Sequence, residues 1–140
     1  VINSEVKYKA DVIKKFGDIP KVECFPSQIN QVIMNLVVNS SHAMSDDKRG
    51  TITISTSQVN ERIKIEVSDD GSGIPEDVLK RIFEPFYTTK PVGKGTGLGL
   101  SLSYGIIEKH HGEIHVESTV GQGTTFTIYL PIKQIHNEIE

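Results

Sequence analysis

Two asparagines lie one helical turn apart in a segment that is otherwise strongly apolar. Asn35 and Asn39 are four residues apart, with Gln31 four residues before Asn35 and His42 three residues after Asn39. Residues three and four apart share one edge of a helix, so these side chains would form a polar row. Such a row is typical of a solvated helix face, but its amide oxygens are also acceptable ligands for a hard cation such as Mg²⁺. The row alone leaves both interpretations open.

A pair of aspartates followed by two glycines is the second feature that could do chemistry. The segment from Asp69 to Pro75 reads DDGSGIP and comes directly after a strand-like run. A tight turn is the ordinary interpretation of such residues. The glycines would also let backbone approach a planar ligand while a carboxylate accepts a hydrogen bond from an exocyclic amine. A dinucleotide-binding fingerprint is excluded, because its third glycine is missing.

Alternating glycines precede a helical pattern further along the chain. The segment from Gly93 to Leu100 reads GKGTGLGL. Free backbone N–H groups before a helix N-terminus can bind phosphate, and the helix dipole favours the negative charge. A Walker loop is excluded, because the residue after Lys94 is Gly95 instead of Ser or Thr. A phosphate-binding segment and a structural hinge are the two remaining interpretations.

Hydrophobic periodicity predicts the elements that must position these residues. Helices are expected from Pro26 to about Met44, for a short distance from Pro75, and from about Leu98 to Gly112. The expected strands are Val6 to Val12, Val22 to Phe25, Thr51 to Thr56, Ile63 to Val67, Glu113 to Ser118 and Thr124 to Leu130. Because most strands are linked as hairpins, the fold class is α/β (α+β): a two-layer sandwich with about three helices on one face of a mixed, mostly antiparallel sheet of about five strands.

Length and charge exclude several classes of protein. The 140 residues predict a single domain over 1–140, with about 1–8 and 133–140 frayed. The net charge of −3 predicts neither nucleic-acid binding nor direct contact with a membrane. The single cysteine, Cys24, favours a reducing compartment. Since the first residue is not Met, we interpret the chain as a fragment of a longer protein.

Five motifs occur in a fixed order along most of the chain. They are Asn35-x-x-x-Asn39, Asp69-x-Gly71-x-Gly73-Ile74, Phe83-Glu84-Pro85-Phe86, Gly95-Thr96-Gly97-Leu98-Gly99-Leu100 and Gly121-x-Gly123-Thr124. In this order they resemble the catalytic ATP-binding domain of sensor histidine kinases, in the superfamily shared with gyrase and mismatch-repair ATPases. The resemblance extends from about Val12 to Pro131. Each motif is weak alone, but five in this order are highly specific.

The resemblance implies ATP and Mg²⁺ as cofactors and assigns roles in the polar row. Asn39 would ligate the Mg²⁺ that bridges the phosphates, with Asn35 on the preceding turn assisting, and these two residues are the expected catalytic pair. His42 stands where many histidine kinases carry Lys or Arg facing the phosphates, and would make a weaker, pH-dependent contact there or none.

The resemblance also assigns the base pocket. Asp69 would accept a hydrogen bond from the adenine amine, and Thr124 would support Asp69 and the base through water. The residues expected to shape this pocket are Gly71, Gly73 and Ile74.

A mobile ATP lid is implied between the base pocket and the last helix. Phe83 and Phe86 would anchor its base, and the lid would extend to about Gly97. Lys90 and Lys94 are the candidate phosphate partners within it. The residues expected to close over the phosphates are Gly95, Thr96, Gly97, Leu98, Gly99 and Leu100.

The activity implied is that of an ATP-dependent protein-histidine kinase, a transferase of two-component signal transduction. Hydrolytic members of the superfamily carry a Glu where this chain has Asn35, and an amide cannot act as a general base. The γ-phosphate would therefore go to a histidine on a separate helical dimerisation and phosphoacceptor domain of the same parent phosphoprotein, and then to a response-regulator receiver domain. A hydrolytic ATPase module and a degenerate nucleotide-sensing or interaction module are the alternatives.

No acceptor histidine is recognisable in this chain. The family's acceptor is followed by an acidic residue within a helical hairpin, a context that is missing at His42, His110, His111, His115 and His136. We therefore expect a monomeric, cytoplasmic fragment that binds ATP without phosphorylating itself, whether or not its parent is anchored in a membrane.

Overall fold

Five strands and three helices make up the part of the chain that the computed structural model describes, residues 9–44, 49–85 and 99–134. In chain order they are β1 (Ala10–Phe16), α1 (Pro26–His42), β2 (Gly50–Val59), β3 (Arg62–Asp69), α2 (Glu76–Leu79), α3 (Gly99–Lys109), β4 (Glu113–Thr119) and β5 (Gly123–Pro131). The three predicted helices are all present, with ends within three residues of those expected. None of the described helices is long and apolar enough to cross a membrane.

The strands form one mixed sheet in the order β1-β2-β3-β5-β4. The β2–β3, β3–β5 and β4–β5 pairs are antiparallel, and β1 pairs with β2 in parallel through a connection that contains α1. A parallel pair needs such a crossover, which is why the long helix follows the first strand. The predicted two-layer sandwich with a mostly antiparallel sheet is confirmed.

One face of the sheet is apolar and carries the helices. Along β3 and β5, buried and half-buried residues alternate strictly, as expected for a sheet with one covered face. The largest fully buried side chains include Leu36 of α1, Ile52 of β2 and Phe126 of β5, and they belong to one hydrophobic cluster. The covered face ends at Asp69 and Thr124, which are paired in the β3–β5 register. The core therefore leads directly to the predicted base pocket.

Two of the sequence expectations about strands need correction. Val22–Phe25 is not a strand: Glu23 donates one backbone hydrogen bond to the Ile132 carbonyl oxygen, at 2.9 Å, and no ladder follows. Phe25 itself is extended because it precedes Pro26, which disfavours helical backbone at that position. The first strand covers Ala10–Phe16 instead of ending at Val12, and residues 1–8 lie outside the described ranges.

The end of the described chain is held in place. Gln134, which the sequence placed in a fraying tail, donates from its backbone N–H to Glu23 Oε1 at 2.8 Å. Its side-chain Nε2 donates to the His110 carbonyl oxygen, also at 2.8 Å. These contacts fasten the segment after β5 to the segment before α1 and to the residue that follows α3.

Candidate functional site

Asp69 ends β3 with its carboxyl group buried at the edge of the core. Only 9% of the residue is exposed, and Oδ1 accepts a hydrogen bond from the Gly71 backbone N–H at 2.8 Å. Burial raises the pKa of this carboxyl above its ordinary value, while hydrogen bonds from Gly71, Ser40 and Thr124 act in the opposite direction. A buried, partly satisfied carboxylate of this kind is suited to accept a hydrogen bond from a ligand donor.

The side chain of Asp70, unlike that of Asp69, is hydrogen-bonded to the backbone of β2. Its Oδ1 accepts a hydrogen bond from the Thr51 backbone N–H at 2.8 Å, and its own N–H bonds the Thr51 carbonyl oxygen at 3.3 Å. These bonds extend the β2–β3 pairing by one residue. Of the two aspartates, the structure therefore leaves Asp69 for the site.

The loop after Asp69 is fixed between the end of α1 and the β4–β5 turn. Ser72 donates its backbone N–H to the Ala43 carbonyl oxygen at 3.0 Å, and its own carbonyl oxygen accepts from the Gly121 N–H at 2.8 Å. A Cβ on Gly71 would lie 2.8 Å from that Ala43 oxygen, which is too close. The loop is therefore a rigid wall beside Asp69 and not a free turn.

Gly73 is required at its position for two reasons. Its φ of +78° is one that residues with a Cβ rarely adopt, and a Cβ there would overlap the Thr119 backbone. Ile74, the next predicted pocket residue, is partly buried against the core. The three pocket-shaping residues predicted from the sequence thus share one wall of the site.

Thr124 faces Asp69 from β5 and is itself buried. Its hydroxyl lies 2.8 Å from Ser118 Oγ. Sequence analysis missed Ser118, which accepts from the Ile74 N–H at 2.7 Å and donates to the Gly123 carbonyl oxygen at 3.1 Å. Its signal was the β4–β5 hairpin register, which pairs Ser118 with Thr124.

Asn35, in the predicted polar row, lies on the edge of α1 that faces α3. Asn35 Oδ1 accepts from Gln31 Nε2 at 2.7 Å, and Asn35 Nδ2 donates to the Gly99 carbonyl oxygen at 3.3 Å. Asn39 is half-buried, and its side chain makes no hydrogen bond to any residue in the described ranges. His42 is half-buried at the end of the same helix. Asn39 is therefore the amide of the pair that remains available to a ligand.

The predicted phosphate segment is described only at its end. Gly99 and Leu100 begin α3, and Leu100 packs partly buried against the core. Phe83 packs on Tyr104 and Phe126, with ring centroids 5.3 and 6.4 Å apart. The remaining residues assigned to the lid and phosphates lie outside the described ranges; they are Phe86, Lys90, Lys94, Gly95, Thr96, Gly97 and Leu98.

The described groups fit a planar, amine-bearing ligand joined to an anion. Asp69 supplies a buried acceptor at one end, the N-terminal end of α3, whose dipole favours an anion, lies at the other, and Asn39 lies on α1 between them. The described residues contain no cluster of three His, Cys, Asp or Glu for a metal. A cation here would therefore rely on an amide oxygen, water and ligand phosphates, as Mg²⁺ commonly does.

Comparison with known proteins gives a consistent result. Residues 25–134 match the family of histidine kinase-, DNA gyrase B- and HSP90-like ATPases. The chain is 46% identical to sporulation kinase E of Bacillus subtilis over 131 residues, covering 94% of this chain and 17% of that protein. It is 40% identical to the sensor histidine kinase ZraS of Escherichia coli strain K12 over 114 residues, covering 81% of this chain and 24% of that protein. The chain thus spans less than a quarter of the length of either relative.

One solved structure is similar to this chain in both fold and sequence. The nucleotide-free catalytic domain of histidine kinase ThkA superposes with a TM-score of 0.78 at 34% identity, covering 91% of this chain and 82% of that domain. Full-length ShkA in complex with AMPPNP, at 22% identity and a TM-score of 0.79, shares the fold. The chain therefore belongs to the histidine kinase-, gyrase B- and HSP90-like ATPase family, and within it to the catalytic ATP-binding domains of histidine kinases.

Proposed function

We propose that this domain binds Mg-ATP and delivers the γ-phosphate to a histidine on a separate helical dimerisation domain of its parent kinase. The phosphoryl group would then pass to a response-regulator receiver domain in the cytoplasm. The buried Asp69 carboxyl carries the proposal, because its environment suits an acceptor for the adenine amine. Gly71, Gly73 and Ile74 support it, since they form the rigid wall against which a flat base would lie.

At the phosphate end, the residues of this chain would supply position and charge neutralisation. Asn39 would offer its amide oxygen to Mg²⁺, and the first N–H groups of α3 would donate to phosphate oxygens. When bound, Mg²⁺ would neutralise charge on the phosphates. Asn35 has its side-chain oxygen bonded to Gln31, and we assign it mainly to holding the start of α3. Phosphoryl transfer depends chiefly on such positioning and electrostatics.

We propose that the phosphoryl group is transferred to a protein and not to water because the site has no general base at residue 35. Asn35 occupies the position that resemblance assigns to a water-activating Glu, and an amide has no basic lone pair near neutral pH. A neutral imidazole is itself nucleophilic, so an acceptor histidine needs only to be brought to the γ-phosphate.

The first test is calorimetric titration of the chain with ATP, with and without Mg²⁺, beside Asp69→Ala. Losing a charge-assisted hydrogen bond costs about 1.5–3 kcal/mol, or roughly ten- to over a hundredfold in affinity. GTP should bind poorly to the wild type, because guanine presents a carbonyl where adenine presents an amine. Asp11→Ala, a change of an exposed aspartate in β1, is the matched control and should leave binding unchanged. Equal competition by GTP and ATP would refute the role of Asp69.

The second test supplies the acceptor. A helical hairpin of the parent kinase, mixed with the chain and Mg-ATP, should gain phosphohistidine, while the chain alone should not. Release of inorganic phosphate by the chain alone would identify a hydrolytic ATPase. Nucleotide binding without transfer to the hairpin would identify a nucleotide-sensing or interaction module.

A further inference from the structure

Ser118 of β4 links its own strand to the loop after Asp69 and to the start of β5 through one hydroxyl group. Its Oγ accepts from the Ile74 backbone N–H at 2.7 Å and donates to the Gly123 carbonyl oxygen at 3.1 Å. Because the Ser118 proton goes to Gly123, the 2.8 Å contact with the Thr124 hydroxyl uses the Thr124 proton. The proton and both lone pairs of Ser118 are therefore all in use.

The pocket wall, residues 71–74, has a backbone attachment at Ser72 and a side-chain attachment at Ile74. Ser72 bonds the Ala43 carbonyl oxygen through its N–H and the Gly121 N–H through its own carbonyl oxygen. At Ile74 the N–H is donated to the Ser118 side chain. The next residue, Pro75, has no N–H, and it precedes α2 without a side-chain cap. The bond to Ser118 thus fixes the end of the pocket wall, where the chain passes into α2.

The pocket wall also packs directly on the end of β4. Gly73 has a φ of +78°, and a Cβ there would overlap the Thr119 backbone, so the two backbones lie in contact. The Ser118–Ile74 hydrogen bond lies beside this contact, one residue away on each segment. Movement of the wall away from β4 would break the bond and the packing together. The place of the wall therefore depends on the Ser118 hydroxyl.

We propose that Ser118 is a positioning residue for ATP binding, whose hydroxyl holds the pocket wall against β4 and β5 in the arrangement that accepts a flat base. Ser118 acts through Ile74 and needs no contact with the nucleotide. When a site is correctly formed in only part of the molecules, its affinity falls by that fraction. Loss of the hydrogen bond should leave the wall in place in about a third to a tenth of the molecules. This inference rests on the proposed function, since it needs the base of ATP against this wall.

The test compares Ser118→Ala with wild type by calorimetric titration of the 140-residue chain with Mg-ATP, adenosine and magnesium tripolyphosphate. Affinity for Mg-ATP and for adenosine should fall by the same factor, about three- to tenfold, because both place a base on the wall. Affinity for tripolyphosphate, which has no base, should not change. Ser118→Thr keeps a hydroxyl on a residue suited to a strand, and should restore most of the affinity for Mg-ATP.

Ser68→Ala is the matched control, because it removes a hydroxyl contact of the same length on the opposite face of the sheet. Ser68 Oγ lies 2.8 Å from Thr125 Oγ1. These residues precede Asp69 and follow Thr124 directly, so strand alternation directs their side chains away from the pocket. Both alanine variants should melt below the wild type, but only Ser118→Ala should bind Mg-ATP more weakly at a temperature where both are folded. That difference separates positioning from general stability.

Amide hydrogen exchange at Ile74 gives a readout that needs no nucleotide. Exchange at this amide should be faster in Ser118→Ala than in Ser68→Ala, because only the first variant frees the wall. Equal exchange in the two variants would overturn the positioning role and leave the proposed function standing. So would an unchanged affinity of Ser118→Ala for Mg-ATP, an equal loss for tripolyphosphate, or no recovery in Ser118→Thr. Failure of the folded wild type to bind ATP would instead overturn the proposed function and this inference with it.

Discussion

Asn35 joins α1 to the first turn of α3 by donating its side-chain N–H to the Gly99 carbonyl oxygen at 3.3 Å. The same Nδ2 lies 3.3 Å from Ser103 Oγ, which itself donates to Gly99 at 2.9 Å. A side-chain triangle thus holds the start of the helix that follows the glycine-rich segment. Because Asn39 lies one turn further along α1, the same contacts also fix the start of α3, where we propose that phosphate binds, relative to Asn39.

Asn35→Ala should loosen this connection. Losing the interhelical hydrogen bonds should lower the free energy of unfolding by about 0.5–1.5 kcal/mol, measured by urea denaturation. Affinity for ATP should fall more than affinity for adenosine, because only the phosphate end depends on the position of α3. Gln31→Ala is the control: Gln31 is exposed and bonds Asn35 from the other side, so its loss should change stability by less than about 0.5 kcal/mol. Equal losses for ATP and adenosine would contradict a role confined to the phosphate end.

Asp69→Asn should affect protein stability and ATP affinity differently. Burial raises the pKa of Asp69 in the folded chain, so the folded state binds a proton more tightly than the unfolded state. The resulting stability is fully present below the unfolded pKa, near 3.8, and is lost as pH rises through the raised folded pKa. Asparagine keeps an acceptor for the Gly71 N–H but carries no charge. The variant should therefore gain stability relative to wild type as pH rises from 3 to 7.

The measurement is denaturant unfolding of both proteins at several pH values in that range. ATP affinity of the variant should be lower than that of the wild type at pH 7, because a neutral amide is a weaker acceptor than a carboxylate. Wild-type affinity should also fall as the pH is lowered into the titration of Asp69. A stability difference that is constant with pH would show that Asp69 does not titrate differently on folding.

The sequence predicted the helices, strands and turns well where the signal was local. The helix α1, the two hairpins and the turn after Asp69 follow from periodicity and turn residues, and the structure has them as expected. The start of α1 also follows: Pro26 is its first residue, and Phe25 provides no side-chain cap. These features are determined by neighbours in the chain.

The sequence could not predict contacts that require the assembled sheet. Ser118 and Ser40 look like ordinary polar residues until β4 and α1 bring them to Thr124 and Asp69, respectively. The Val22–Phe25 segment has strand-like residues, but it makes one backbone hydrogen bond, from Glu23 to Ile132, and joins neither edge strand, β1 or β4. Long-range pairing, and not local propensity, decides such positions.

Gly73→Ala and Gly105→Ala should have opposite effects. At Gly73 the φ of +78° and the nearby Thr119 backbone both oppose a Cβ, so alanine should destabilise by more than about 1 kcal/mol. Gly105 lies inside α3, and a Cβ there meets no atom within 4 Å. Alanine at that site should stabilise by about 0.5–1 kcal/mol, because it restricts the unfolded chain. Thermal unfolding of both variants checks the pair, and a loss of stability in Gly105→Ala would show that α3 has a neighbour at that face.

His110 accepts a hydrogen bond from the backbone N–H of Phe25, the residue that precedes α1 and that provides no side-chain cap of its own. The ring is buried, Nε2 accepts from the Phe25 backbone N–H at 3.1 Å, and Nδ1 lies 2.8 Å from the Ile106 carbonyl oxygen. Since Nε2 accepts, Nδ1 must carry the proton and donate to Ile106. One neutral imidazole thus joins the end of α3 to the beginning of α1.

Replacing His110 should therefore cost stability in proportion to the hydrogen bonds lost. His110→Leu keeps much of the packing but leaves the Phe25 N–H without its acceptor, and should destabilise by about 1–3 kcal/mol. His110→Gln retains an oxygen near the Nε2 position and should recover part of that loss. His115→Ala, a change of an exposed histidine in β4, is the control and should stay within about 0.5 kcal/mol of wild type. If Leu and Gln were equally destabilising in urea, shape alone would explain His110, and the acceptor role at Phe25 would be wrong.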